Sequence, residues 1–203
     1  MNTTETARAA LIIFVRHPES GKVKTRLAKV IGEAKALAVY KLLLNHTHQI
    51  TLPLNCSKFV YYADQVAEND LWSSPGYTKK QQLGNNLGER MCSAFQELFD
   101  QGFKKALIIG SDCYQLRTEL LQEAIQLLET HQVVIGPTFD GGYYLLGTDD
   151  FVPELFAGKA WSTDQVTKQT LEDVNSLGLS CQLLKQLHDV DEAEDLEVNR
   201  INI

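Results

Sequence analysis

Cysteine is scarce in this chain: Cys56, Cys92, Cys113 and Cys181 are the only four in 203 residues, and none forms a C-x-x-C pair. That excludes the usual zinc spacings and a dense disulfide framework, and leaves reduced thiols as the expectation. Membrane-length apolar runs are missing as well. The stretch Ala9 to Val15 is too short to span a bilayer and runs straight into Arg16-His17-Pro18. It lacks a small-residue cleavage site, so it reads as a buried first strand rather than a signal peptide, and the expected location is the cytoplasm. Basic residues are outnumbered, 19 against 26 acidic, for a net charge of −7. An acidic surface argues against nucleic acid or an anionic membrane as partner. It leaves room for a small phosphorylated ligand in a locally basic pocket. No repeat, linker or low-complexity stretch interrupts the chain, so residues 1–203 are expected to form a single domain.

What is present alternates between strand-like and helix-like segments. The continuous apolar run Leu11–Val15 is of the kind found in a parallel sheet covered on both faces. A helical pattern follows from about Glu33 to Ile50, then strands at Phe59–Tyr62 and near Tyr77–Gln82. Asn86 and Glu89 resemble a capping box opening a helix that runs to Gly102. Lys105–Ile109 is another buried strand, followed by a helix from about Thr118 to Thr130 and the strand Val133–Ile135. Asp140-Gly141-Gly142 turns into Tyr143–Leu146. Ser162 with Gln165 suggests a second capping box, for a helix ending near Gly178. A last strand is expected over Gln182–Leu187, and Asp191 with Glu194 is expected to cap a short final helix. Strands separated by helices imply an α/β fold: a mostly parallel sheet in three layers, with helices on both faces. Ligands of such sheets sit at the carboxyl ends of the strands, where the strand order switches.

Four segments at strand ends carry candidate chemistry. The loop Arg16 to Arg26 gathers Arg16, Lys22, Lys24 and Arg26 around Gly21. A triphosphate needs closely approaching backbone N–H groups and point charges of this kind. The loop is not a Walker A motif, because Arg16 stands five before Gly21 and Val23 replaces the metal-binding hydroxyl. A plain solvated loop is the alternative. Ser111 and Asp112 end the Lys105–Ile109 strand, where a carboxylate reaches the crevice and could hold Mg²⁺ or Mn²⁺; a turn aspartate is the alternative. Asp189 and Asp191 are alternate residues of an extended segment, so their carboxylates could converge on one cation. Gly141 and Gly142 could let a ligand approach, or simply form a tight hairpin.

The order of these motifs resembles a known family. Pro18-Glu19-Ser20-Gly21-Lys22-Val23-Lys24-Thr25-Arg26-Leu27 comes first, then Asn86-Leu87-Gly88-Glu89-Arg90-Met91 and Gly110-Ser111-Asp112-Cys113. Asp140-Gly141-Gly142-Tyr143-Tyr144-Leu145-Leu146-Gly147, Trp161-Ser162-Thr163-Asp164 and Asp189-Val190-Asp191 through Glu194-Asp195-Leu196 complete it. Together they resemble the rSAM/selenodomain-associated transferases, proposed nucleotide-diphospho-sugar transferases related to the phospholactate and molybdenum-cofactor guanylyltransferases. Tyr114 and Glu192-Ala193 depart from that pattern, standing where the family has a proline and Thr-Pro. The resemblance implies a Rossmann-like GT-A fold. It implies nucleotide binding by Arg16, Gly21, Lys22, Lys24, Arg26, Asn86, Gly88, Arg90 and Ser111, and a divalent metal on Asp112 and Asp191. Catalysis would involve Lys22, Arg26, Asp112 and Asp140, with Gly141, Gly142 and Trp161 on the acceptor side. The expected reaction is nucleotidyl transfer from a nucleoside triphosphate to a small phosphorylated acceptor. A glycosyltransferase with a nucleotide-sugar donor, using Asp140 as general base, and a non-catalytic nucleotide-binding protein are the alternatives. An exposed sheet edge makes a homodimer possible.

Overall fold

The computed structural model describes residues 8–202. Strands β1 (Ala9–Val15), β2 (Ser57–Tyr62), β3 (Tyr77–Gln81), β4 (Lys105–Ile109), β5 (Val133–Pro137), β6 (Tyr143–Thr148) and β7 (Cys181–Leu183) form one sheet in the order β3-β2-β1-β4-β6-β5-β7. Every pairing is parallel except those of β6, which runs antiparallel between β4 and β5. The helices are α1 (Thr25–Ile31), α2 (Glu33–Thr51), α3 (Leu87–Asp100), α4 (Thr118–Leu127), α5 (Val166–Ser176) and α6 (Ala193–Val198). This is the mixed α/β architecture that the alternation of segments implies. None of the described helices is long and apolar enough to cross a membrane, and the four cysteines are unpaired.

The period-two alternation of strands sorts the core into two layers. Leu11, Ile13 and Val15 of β1, with Leu107 and Ile109 of β4, pack against Tyr40 and Leu44 of α2 and Leu121 of α4. Ala10 and Ile12, with Ala106 and Ile108, face Phe95 and Leu98 of α3 and Val174 of α5. A smaller cluster joins Leu27 of α1 and Val39 of α2 to Val190, Leu196 and Ile201, pinning the C-terminal segment beside the first loop.

Four local features differ from what the sequence signals. The run Thr25–Ile31 is helical although nothing signals its start: no acidic residue lies in its first turn and no side chain caps it. Instead Lys24 sits at the N-cap in a left-handed conformation (φ 46°, ψ 47°). Ser162 does not cap α5. Its φ is +63°, and α5 starts after Gln165 with no side-chain cap. At α6 the capping pair is Glu192 with Asp195, one residue on from Asp191 and Glu194. The last strand is also shorter than expected, with only a bridge between Thr138 and Leu187 beyond Leu183.

Candidate active site

The strand order reverses beside β1, so a crevice opens beyond the carboxyl ends of β1 and β4. Two connected chambers occupy it. The first, about 710 Å³, is lined by Arg16, Lys22, Lys24 and Arg26 of the first loop, by Asn86 and Arg90 at the start of α3, and by Ser111, Asp112 and Asp191. The second, about 520 Å³, is lined by Asp140, Gly142, Tyr143, Tyr144, Trp161, Asp164 and Asp189. Arg26, Asp112 and Asp191 line both chambers. The paired aspartates therefore mark the boundary between the two.

Asp112 owes its position to the end of β4. A side chain at Gly110 would start 2.7 Å from its Oδ1, so the glycine leaves the carboxylate room to lean over the strand end. Asp191 is held from behind. Asp195 accepts from the backbone N–H groups of Asp191 (2.8 Å) and Glu192 (2.7 Å), closing the first turn of α6. Because Asp191 is not the cap, its carboxylate is free to face the crevice. Val190 between the two aspartates is fully buried, so Asp189 and Asp191 both point away from the core. They serve different chambers, however: Asp191 lies at the boundary and Asp189 lines only the second.

The ammonium of Lys24 stands between the paired carboxylates. Its Nζ donates to Asp112 Oδ2 at 2.8 Å and lies 3.7 Å from Asp191 Oδ1, while Arg26 Nη1 donates to Asp191 Oδ2 at 2.9 Å. Burial works to discharge Lys24, but the charge and hydrogen bond of Asp112, followed by the charge of Asp191, raise its pKa above the ordinary lysine value. Burial likewise opposes ionisation of Asp112. The Lys24 charge and hydrogen bond outweigh it and hold the carboxyl below its usual range. Asp189 has no such partner: burial and the charges of Asp140 and Asp112 push it up to about 6.

A site already drawing one cation between two carboxylates fits a divalent ion in its donor chemistry. No cluster of three or more histidine, cysteine or carboxylate groups suited to a metal forms among the described residues. Asp112 and Asp191 offer hard oxygen donors of the kind that Mg²⁺ or Mn²⁺ takes.

Several residues expected in the site lie elsewhere. Gly21 lines neither chamber; it has φ +76°, and a side chain there would meet the Glu33 carboxylate at 3.3 Å. Gly88 is buried under Trp161, whose Nε1 would lie 2.4 Å from an added Cβ. Its absent side chain makes room for Trp161. Gly141 is closed off by the Asp164 backbone, 2.1 Å from an added Cβ. Asp140 does line the second chamber, yet its Oδ1 is spent inside the hairpin, accepting from Thr138 Oγ1 and from Gly142 N–H. Lys22 is 68% exposed and pairs with Glu19, so it reaches the first chamber only at its rim.

Two contributors escaped sequence reasoning. Tyr40, deep in α2, closes the floor of the first chamber, exchanging hydrogen bonds with the backbone N–H and carbonyl of Arg16 (2.9 and 3.2 Å). Gln82 follows β3 and donates to the Tyr61 carbonyl at 2.9 Å while accepting from Arg90 at 3.5 Å. A helix-face tyrosine and a lone glutamine carry no local signal for such roles.

A seven-stranded sheet with this crevice is the fold of the nucleotide-diphospho-sugar transferases and their nucleotidyltransferase neighbours. A proposed nucleotide-diphospho-sugar transferase from Desulfovibrio desulfuricans G20 superposes with a TM-score of 0.86 at 36% identity, over 94% of this chain and 85% of that one. CMP:2-keto-3-deoxy-manno-octonic acid synthetase complexed with CTP gives 0.59 at 10% identity, over 96% and 98%. The inositol-1-phosphate CTP transferase from T. maritima gives 0.56 at 12%, over 96% and 94%. These last two show the fold alone. Residues 46–163 match the family described as uncharacterized protein conserved in bacteria (DUF2064), and the chain belongs to that family. No curated protein matches it. The 36% identical structure supports a transferase.

Proposed function

We propose that the protein is a nucleotidyltransferase that takes a nucleoside triphosphate in the first chamber and an acceptor in the second. The observation carrying this reading is the aspartate pair at the shared boundary, with the cations Arg16, Lys22, Lys24, Arg26 and Arg90 all lining the first chamber and only Arg26 among them reaching the second. An acceptor hydroxyl oxygen bonds to the α-phosphorus as the bond from that phosphorus to the β-bridging oxygen breaks. Pyrophosphate leaves and the hydroxyl proton passes to solvent. Such chemistry asks the protein for positioning and charge neutralisation more than covalent work.

In this reading Arg26 and Lys22 neutralise the leaving pyrophosphate, and Lys24 divides its charge between the aspartates and the phosphate oxygens. Asp112 and Asp191 would hold the divalent ion, which when bound neutralises phosphate oxygens. Arg16 and Arg90 flank the nucleotide, with Asn86 fixing the start of α3 through its cap bond to the Glu89 N–H at 3.0 Å. The cationic first chamber favours triphosphate over a nucleotide-sugar donor, whose diphosphate leaving group needs less positive charge. The motif resemblance to guanylyltransferases points the same way.

The test is thermal denaturation of wild type and Asp112→Asn with nucleoside triphosphates and nucleotide sugars, each with and without Mg²⁺. A ligand at a hundred times its Kd stabilises by about 2.7 kcal/mol. A Mg²⁺-dependent shift strongest for a triphosphate and lost in Asp112→Asn supports the reading. A shift confined to nucleotide sugars, with nucleoside diphosphate as product, replaces it with glycosyl transfer; no shift with any nucleotide rejects both.

A further inference from the structure

The two chambers differ in sign. The first sets five cationic side chains against Asp112 and Asp191. The second sets five carboxylates (Asp112, Asp140, Asp164, Asp189 and Asp191) against Arg26 alone. Two of those five are answered, Asp112 by Lys24 and Asp191 by Arg26. Asp140, Asp164 and Asp189 have no ion-pair partner among the described residues. Tyr143 and Trp161 line the same chamber edge to face, ring centroids 6.5 Å apart and planes at 90°.

From this we infer that the acceptor is a small cationic compound, an amine that also carries the reacting hydroxyl. The inference rests on the transferase reading above and names the substrate class of its second chamber. It departs from the phosphorylated acceptor that the sequence suggested. A phosphate entering this chamber meets three unneutralised carboxylates and then the phosphates of the donor next door. An ammonium gains from the same carboxylates and can rest beside the two aromatic rings. A neutral polyol could donate hydrogen bonds there, but it would leave the net charge of the chamber uncompensated. Asp140 keeps one oxygen for the incoming group, since its hairpin bonds from Thr138 and Gly142 both fall on Oδ1. Asp164 is partnered through Oδ1 by Gln165 alone, at 3.1 Å.

Three probes on one sugar ring separate the possibilities: glucosamine, glucose and glucose 6-phosphate, titrated by ligand-observed NMR into the full chain. Glucosamine is expected to bind up to about fivefold tighter than glucose, the scale of one exposed charge pair, with glucose 6-phosphate weakest. The preference should shrink as salt is raised and in Asp140→Asn and Asp164→Asn. Both substitutions are isosteric and keep the Oδ1 acceptor, so folding is expected to survive. Equal binding of the three probes, a preference for glucose 6-phosphate, or no binding at tens of millimolar overturns the inference. A nucleotide titration on the same samples reads the first chamber separately. Amine preference with no nucleotide binding would sink the transferase reading alone, and nucleotide binding without amine preference would sink the acceptor class alone.

Discussion

Lys24 and Asp112, 88 positions apart in the chain, meet at 2.8 Å, and the lysine side chain is only 5% exposed where they meet. An ammonium thus closes the gap between two carboxylates that would otherwise repel one another. The left-handed backbone at Lys24 aims the side chain inward across the start of α1.

Lys24→Met should therefore destabilise the metal-free protein. The methionine fills the stem's space but leaves Asp112 and Asp191 facing each other. Asp112 is 45% exposed, so water screens part of the loss, and the expected cost is about 1–2 kcal/mol, below that of a fully buried broken pair. Urea unfolding in EDTA reads it, and millimolar Mg²⁺ should restore more stability to the variant than to wild type. Equal response of the two proteins to Mg²⁺ would show that Lys24 and the metal do not share the aspartates.

Asp195 orients Asp191 without lining either chamber. Asp195→Ala removes one half of the capping pair of α6, at a cost of about 1 kcal/mol. It should also weaken Mn²⁺ binding about tenfold, as the loss of an outer support typically does. Water-proton relaxation measures the affinity. Unchanged Mn²⁺ affinity, with stability lowered, would reduce Asp195 to a helix cap.

Gly88→Ala drives a methyl group into Trp161 and the Phe156 carbonyl, at 2.4 and 2.5 Å. Overpacking of this kind costs about 1–3 kcal/mol. Trp161 should move, shifting its emission in a Trp72→Phe background that leaves it as the sole tryptophan. Acceptor-side binding should fall while triphosphate binding holds. Loss of nucleotide binding alone would return Gly88 to the first chamber.

His48 governs part of the pH response. Burial lowers its pKa below the ordinary histidine value, and its ring lies against Tyr77 (5.2 Å) and Trp72 (5.5 Å). His46 is lowered by burial too, a backbone bond to Leu116 opposing and the Arg117 charge adding to it. The unfolded chain therefore binds protons before the folded one as pH drops. This stability is present above about pH 6.5 and is lost as pH falls through that value toward the depressed folded pKa. His48→Phe should flatten the urea midpoint between pH 7 and 5. An unaltered slope would mean that His48 titrates alike in both states.

Strands β1 and β4 were legible because buried parallel strands are written as unbroken apolar runs. Helix α1 was not, since Thr25–Ile31 carries no acidic first turn and begins from a left-handed lysine rather than a capping side chain. The Ser162 and Gln165 pair had the spacing of a capping box, yet the backbone of Ser162 turns the other way. Spacing reports only what neighbours could do. The same limit applies in the crevice. Asp112 and Asp191 stand at strand and segment ends, where a carboxylate is conspicuous. The Lys24 bridge spans 88 positions, and Gly88 and Gly141, both expected at a ligand, clear space for Trp161 and Asp164.

The reversed direction of β6 has a consequence for how such a protein diversifies. Because β5 and β6 are joined by the hairpin at Asp140–Gly142, Asp140 of the second chamber is carried by a loop whose lengthening leaves β1, β4 and the first loop in register. The hairpin is an interchangeable fitting on a fixed chassis. Relatives with the same nucleotide-side machinery could acquire new clients by rewriting about a dozen residues around that turn, a loop length that folds tolerate readily.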